Sequence, residues 1–365
     1  MRIVFKTSYD KDIDLHEHGW SRAKIAVLAA IMVLLPFFVG EYYLAEAANT
    51  LIWALAGMGL MVAVGHTGQV SLGHAAFLAI GAYTDSALMN AGLPFLLSFP
   101  IAGIVTGIFG AIIAIPAVRM SGIYLAIATL AVFAIVEELV ILLEPITGGV
   151  GGIMAPSIQI FGISFDRYGA LDNFYWLILA IVALVTWGYA NLMRSPTGRS
   201  FLAVRDSEVS ARALGINVTR TRSLAFGLST GVTGLAGALM GHYIGFYNYE
   251  LFSIFISINL LLVVTIGGLG FIQGAFLGAL LITAVPQVIA IARDGLNANF
   301  GIDLGGIPGL DTMIFAVILI LFIIFEPTGL YGRWLKIRTW FEIFPLARRD
   351  MFRRQKSYLK TERMK

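Results

Sequence analysis

Ser71 and His74 lie three residues apart in the run Gly65-His66-Thr67-Gly68-Gln69-Val70-Ser71-Leu72-Gly73-His74-Ala75-Ala76-Phe77. A hydroxyl beside an imidazole is the beginning of a nucleophile–base pair, here the basis of an intramembrane hydrolase reading. The sharp elbow that exposes a nucleophilic serine needs Gly two residues before it, and Gln69 stands there instead. No HExxH and no GxxxxGK[ST] occurs, so the sequence offers neither a helical zinc-protease motif nor a phosphate cradle. The chain has no Cys, which excludes thiolate zinc sites, iron–sulfur clusters and disulfides. Its five His are scattered. No catalytic residue, metal site or cofactor is assigned.

The same run admits two other readings. Gly68, Gln69, Ser71, Gly73 and His74 interrupt apolar text where a membrane segment would continue. One reading is a tight cytoplasmic turn with its polar residues at the interface. The other is a broken helix lining a translocation path, because free N–H and C=O groups at a helix break can meet a polar solute. Gly267, Gly268 and Gly270 form a second interruption of the same kind. Either place accommodates a broken or re-entrant helix.

Charged residues within apolar stretches cost roughly 2.5–3.5 kcal/mol at mid-bilayer. Glu137 and Glu138 are the main candidates. They fall about 9 Å from the end of their stretch at 1.5 Å per residue, so they sit toward its outer third. With Asp85 they are candidates for an acidic outer mouth; snorkelling to the interface is the plainer reading. No charge falls near mid-bilayer to bind a coupling ion, which tells against a stand-alone secondary transporter or channel.

The elements that would position these residues follow from composition. Apolar residues make up 58% of 365 positions, charged residues 13%, and mean hydropathy is +0.84. Soluble domains carry about 25% charged residues, so the chain reads as a polytopic membrane protein. Spans need roughly 20 apolar residues. About ten are expected, near 23–40, 46–64, 73–90, 94–116, 122–143, 174–193, 223–243, 254–270, 272–292 and 310–326. The expected fold is an all-α transmembrane bundle: a cytoplasmic N-terminal segment 1–22, a membrane domain 23–326 and a basic cytoplasmic tail 327–365. Residues 1–24 are long and polar with four acids, unlike a cleaved leader.

Orientation follows from Lys and Arg. The stretch 1–24, Arg119, the loop 194–222 and the tail hold 23 of the 25, and ten spans put all four on one side. Both termini are therefore expected in the cytoplasm. The net charge of +3 is a topology signal and not one for nucleic acid. The tail also suits anionic lipid head groups. On the outer side, 144–173 contains Gly148, Gly149, Gly151 and Gly152 and cannot form a stable helix. On the inner side, Arg199 to Gly215 predicts one short amphipathic helix ending at Gly215.

The stretch Val64 to Thr84, VGHTGQVSLGHAAFLAIGAYT, closely resembles the signature of LivM-type permease subunits of bacterial ABC importers for branched-chain amino acids. Further matches are Arg119 to Ala131, Thr147 to Ile153, Ser195 to Arg199, Arg205-Asp206, Ala211 to Ile216, Val264 to Gly270 with Gly274-Ala275, and Phe325 to Leu330. Together they span about residues 45–335.

The resemblance implies an inner-membrane permease that pairs with a second, similar permease. Two cytoplasmic ATPase subunits would drive the pair, and a periplasmic binding protein would deliver leucine, isoleucine or valine. Related permeases serve urea, short amides or other amino acids. The resemblance also implies an ATPase-coupling loop carried by Arg199, Arg205, Asp206, Glu208, Ala211, Leu214 and Gly215. Importers generally show an EAA-then-Gly pattern there; here Glu208 to Gly215 is one residue longer.

Overall fold

The computed structural model describes residues 19–117, 120, 122–300, 309–326 and 328–343. Expectations placed on residues 1–18, Arg119 and 344–365 lie outside the described residues. In chain order the helices are α1 (Gly19–Phe38), α2 (Glu41–Thr67), α3 (His74–Asn90), α4 (Phe95–Ala117), α5 (Ile123–Leu142), the single turn α6 (Glu144–Thr147) and α7 (Leu171–Arg194). They continue with α8 (Pro196–Asp206), α9 (Glu208–Ala213), α10 (Val218–Ile244), α11 (Ile254–Gly267), α12 (Ile272–Phe300), α13 (Leu310–Phe325) and α14 (Gly329–Ile343).

A helix occupies each of the ten expected apolar stretches. Among the described residues, six are long and apolar enough to cross a bilayer alone: α2, α4, α5, α7, α10 and α12. The number is seven if α13 and α14, which meet at 47°, count as one bent span. Helix α3 has 17 residues and α11 has 14. Polar and glycine-rich text cuts both short.

Helix α10 is the spine. It packs along α2, α3 and α4, and α2 packs in turn on α7 and α12. The contact with α3 requires glycine, since a Cβ on Gly237 would lie 2.0 Å from the Leu78 carbonyl oxygen. Close backbone approach of this kind holds helices together in lipid, where apolar burial alone supplies little. Most of α2 is buried in the bundle. By contrast α4 and α5 point Ile104, Ile108, Ile112, Ile127 and Ile135 outward. An apolar exterior of that extent around an apolar core is that of a multi-pass membrane protein.

Between α5 and α7 lies the small amount of strand. β1 (Ile153–Met154) pairs antiparallel with β4 (Phe246–Tyr247), which follows α10. β2 (Ile158–Ile160) and β3 (Ile163–Phe165) form a hairpin. The glycine-rich start of this segment forms no helix longer than the turn of α6 and a three-residue 3-10 turn at Gly149–Gly151.

Candidate translocation and coupling site

The chain between α2 and α3 turns back into the bundle. Gly68 takes a left-handed φ of 68° and its N–H reaches the Ala63 carbonyl, ending α2. Gln69 then donates from Nε2 to Thr67 Oγ1 (2.7 Å) and to the Arg222 carbonyl (3.2 Å). His74, at the start of α3, reaches Ser229. From Arg222 to Ser229 is seven residues along α10, about 10 Å at 1.5 Å per residue. So α3 begins about two turns inside the level at which α2 ends. The break is irregular backbone, with Gln69, Ser71 and Gly73 buried by protein.

Several polar groups of the break are matched from other helices. Ser229 Oγ donates to the Gly59 carbonyl (2.7 Å), so it accepts the Nε2–H of His74 (3.0 Å). His74 Nδ1 is then the acceptor for the Ser71 hydroxyl (2.7 Å). The Leu72 N–H reaches Thr129 Oγ1 (3.0 Å) and the Ala75 N–H reaches Ser257 Oγ (2.8 Å), so α5 and α11 cap α3 from the side. Gly73 allows this approach, as a Cβ there would meet the Thr129 carbonyl oxygen at 2.0 Å. Ser71 and His74 are fully buried. Their proton is held in a closed relay with no acid behind the imidazole, an arrangement suited to packing and not to nucleophilic attack.

The second interruption is built differently. Gly267 is a packing residue at the α11–α12 crossing, where a Cβ would lie 1.9 Å from the Gly274 carbonyl oxygen. Gly268 and Gly270 turn the chain with φ of 121° and 85°. The Gly270 N–H reaches Met61 Sδ (3.2 Å).

The loop between α7 and α10 forms two helices where one was expected. Ser195 caps α8, its Oγ accepting from the Gly198 N–H (3.2 Å). Ser207 stops α8 and caps α9, accepting from the Ser210 N–H (3.3 Å). That second cap breaks the continuous helix. Gly215, at φ 82°, follows α9 with the Ile216 N–H on the Ala211 carbonyl, as a glycine C-terminal cap does. Phe201, Val204 and Ala211 are buried beneath, while Val209 and Leu214 are each 79% exposed. Glu208 is paired with Arg222 on α10 and Arg212 on its own helix (3.7 Å). Arg199 donates to the Arg194 carbonyl (3.0 Å). Arg205 pairs with exposed Asp206 (3.1 Å) and donates to the Gly65 carbonyl (2.9 Å).

At the other end of α3 and α10 the acids separate. Asp85 is fully buried and accepts from His242 Nε2 (2.7 Å), so it faces the bundle and not an open mouth. Glu137 and Glu138 stand on α5 beside the turn 249–252, where the Glu250 carboxylate pushes the Tyr249 phenol above its usual pKa, with Glu137 and Glu138 adding to the effect. Glu137 borders a small cleft with Ala76, Ala79, Phe133, Val136 and Val140. Glu250 and His242 carry no local sequence signal that would have brought them to attention. Among the described residues no group of His, Asp and Glu forms a metal site.

Residues 42–324 match the family described as branched-chain amino acid transport system / permease component. The chain is 33% identical over 328 residues to the high-affinity branched-chain amino acid transport system permease protein LivM of Salmonella typhimurium, covering 84% of this chain and 74% of that one. The LivM of Escherichia coli matches to the same extent. The autoinducer 2 import system permease protein LsrC of Shigella flexneri is 29% identical over 299 residues, covering 75% of this chain and 81% of the relative. No solved structure matches the chain. With nearly the whole membrane part inside the match, the chain belongs to the branched-chain amino acid transport permease family, as an ABC-type permease and not an enzyme.

Proposed function

We propose that this chain is one of two permease subunits of an ATP-driven importer for leucine, isoleucine and valine in a bacterial inner membrane. The observation that carries this reading is the 33% identity to LivM along 84% of the chain. Ten membrane passages with both termini in the cytoplasm complete it, on the strength of the Lys and Arg distribution. Two cytoplasmic ATPases dock on α8 and α9, where exposed Val209 and Leu214 sit among charges. A periplasmic binding protein delivers solute at the opposite face. The solute passes beside the second permease. The breaks at Gly68–His74 and Gly267–Gly270 line that path. Membrane lipid covers the rest.

The likeness to LsrC favours a second reading, in which the same architecture carries a different solute, a urea, short amide or other amino acid among them. Reconstitution decides. The purified pair with its ATPases and binding protein, in proteoliposomes, is expected to take up radiolabelled leucine only with internal ATP. Uptake of urea or autoinducer 2 in place of leucine would move the substrate to the second reading. Uptake by the chain alone, without ATP, would end the importer reading. Scrambling residues 205–215 is expected to abolish ATPase association while membrane insertion survives.

A further inference from the structure

We infer that Arg205 is the positioning residue that ties the α8–α9 loop to both chain interruptions at once, so that movement of the loop displaces the α2–α3 break and the α11–α12 turn together. The inference rests on the importer reading and adds to it a named mechanical link.

The geometry converges on one guanidinium. Arg205 is the second-last residue of α8, and its Nη1 donates to the Gly65 carbonyl at 2.9 Å. Gly65 belongs to the last turn of α2, whose terminal carbonyls lack helical partners. A cation there also complements the negative end of the helix dipole. The aliphatic stem of Arg205 lies over Gly68, where a Cβ would be 3.6 Å from Cγ. The same Nη1 lies over Gly270, 3.3 Å from where its Cβ would be. Gly65 and Gly270 themselves touch, since a Cβ on Gly65 would lie 2.9 Å from the Gly270 nitrogen. Met61 closes the group by accepting the Gly270 N–H.

Three glycines from two separate turns therefore surround one side chain that belongs to neither. A side chain at 270 would crowd the guanidinium, and one at 68 would rest on its stem. The remaining face of Arg205 is toward solvent, 38% exposed and paired with Asp206. One end of the contact is on the exposed loop, and the other is on backbone that leads directly to the buried break. A fork of several donors on a stiff plane suits this place; a single ammonium would hold only one of its partners.

The full transporter in proteoliposomes tests the link through uptake per ATP hydrolysed. In transporters that assemble with Arg205→Gln, uptake per ATP hydrolysed is expected to fall about tenfold, the scale of one lost charge-assisted hydrogen bond. Arg205→Lys is expected to restore an intermediate ratio, and Gly270→Ala, which crowds the guanidinium, to lower it in a chain that keeps Arg205. An unchanged ratio in Arg205→Gln and Gly270→Ala overturns the inference. So does a parallel loss of assembly, hydrolysis and uptake, which would make Arg205 part of the docking surface alone. If Arg205→Gln does not accumulate, the ratios of the Lys and Gly270→Ala variants decide by the same criterion. Absence of ATP-driven uptake by the parent assembly would count against the importer reading itself, a result separate from any difference between variants.

Discussion

Two irregular, glycine-rich segments interrupt this helical chain, and they are stabilised in opposite ways. In the break Gly68–Gly73 the side chains of Gln69 and Ser71 are buried, and they and the Leu72 N–H are matched from α10, α3 and α5. The segment 148–165 is partly exposed and matches its backbone through short strands, β2 with β3 inside the segment and β1 with β4 after α10. Met154 and Phe161 face outward at 74% and 95% exposure, while Ile158 is buried in the core. Glycine content is alike in the two; the polar side chains differ. Ser, Gln and His beside the break supply hydrogen bonds that a buried, irregular backbone cannot supply for itself. Where Ile, Phe and Met accompany the glycines, the backbone pairs and stays at the surface. The break is therefore sensitive to single polar deletions, and the strand region spreads its support over several redundant contacts.

The largest effect should come from Ser229→Ala, which leaves the buried His74 Nε2–H without its acceptor. It is expected to lower stability by about 1–3 kcal/mol, read as thermal unfolding of the chain in nanodiscs. Tyr247→Phe removes the hydroxyl that meets Ser86 (2.7 Å) and the Ala82 carbonyl (3.0 Å) beside β4. Its ring contacts with Tyr83 and Phe252 persist, so the loss should be nearer 1 kcal/mol. A larger loss here than at Ser229 would invert the comparison. Phe161→Asn should be the mildest change. Phe161 occupies φ 52° at the hairpin tip, next to Gly162 at 81°. Asn tolerates that left-handed conformation better, and the variant is expected to match or exceed the parent by less than about 1 kcal/mol. A clear loss would mean that the exposed ring is held by something beyond the hairpin.

The positions of the helices were legible because a bilayer demands long apolar runs, and all ten runs are helical. Both interruptions were legible too, since Gly, Gln, Ser and His stand out in apolar text. Their internal geometry was not. His74 finds Ser229 at a separation of 155 residues, and Asp85 finds His242 at 157. Such pairs follow from which helices touch, and periodicity along one helix is silent on that. Asp85 was grouped with Glu137 and Glu138 because all three carry a carboxylate near one side; the bundle turns Asp85 inward and leaves the others on α5. The division of the basic loop at Ser207 was in principle readable, since Ser207-Glu208 before Ala211 is a helix-start pattern. The composition of the flanking residues, all compatible with one helix, hid it.

The buried break also sets an order of events during synthesis. Gln69 and His74 leave the ribosome 153 and 155 residues before their partners Arg222 and Ser229 on α10. At translation rates of roughly 5–20 residues per second, the nascent chain holds these groups without their partners for on the order of ten seconds. During that interval α3 has no packed partner for the glycine-matched face at Leu78. The segment can settle only when α10 enters the membrane and slides in against it. A ribosome stalled before residue 229 would leave a polar, unmatched loop in lipid, the kind of fragment that membrane proteases remove. Completion of α10 is thus the point at which the first half of this protein acquires its fold.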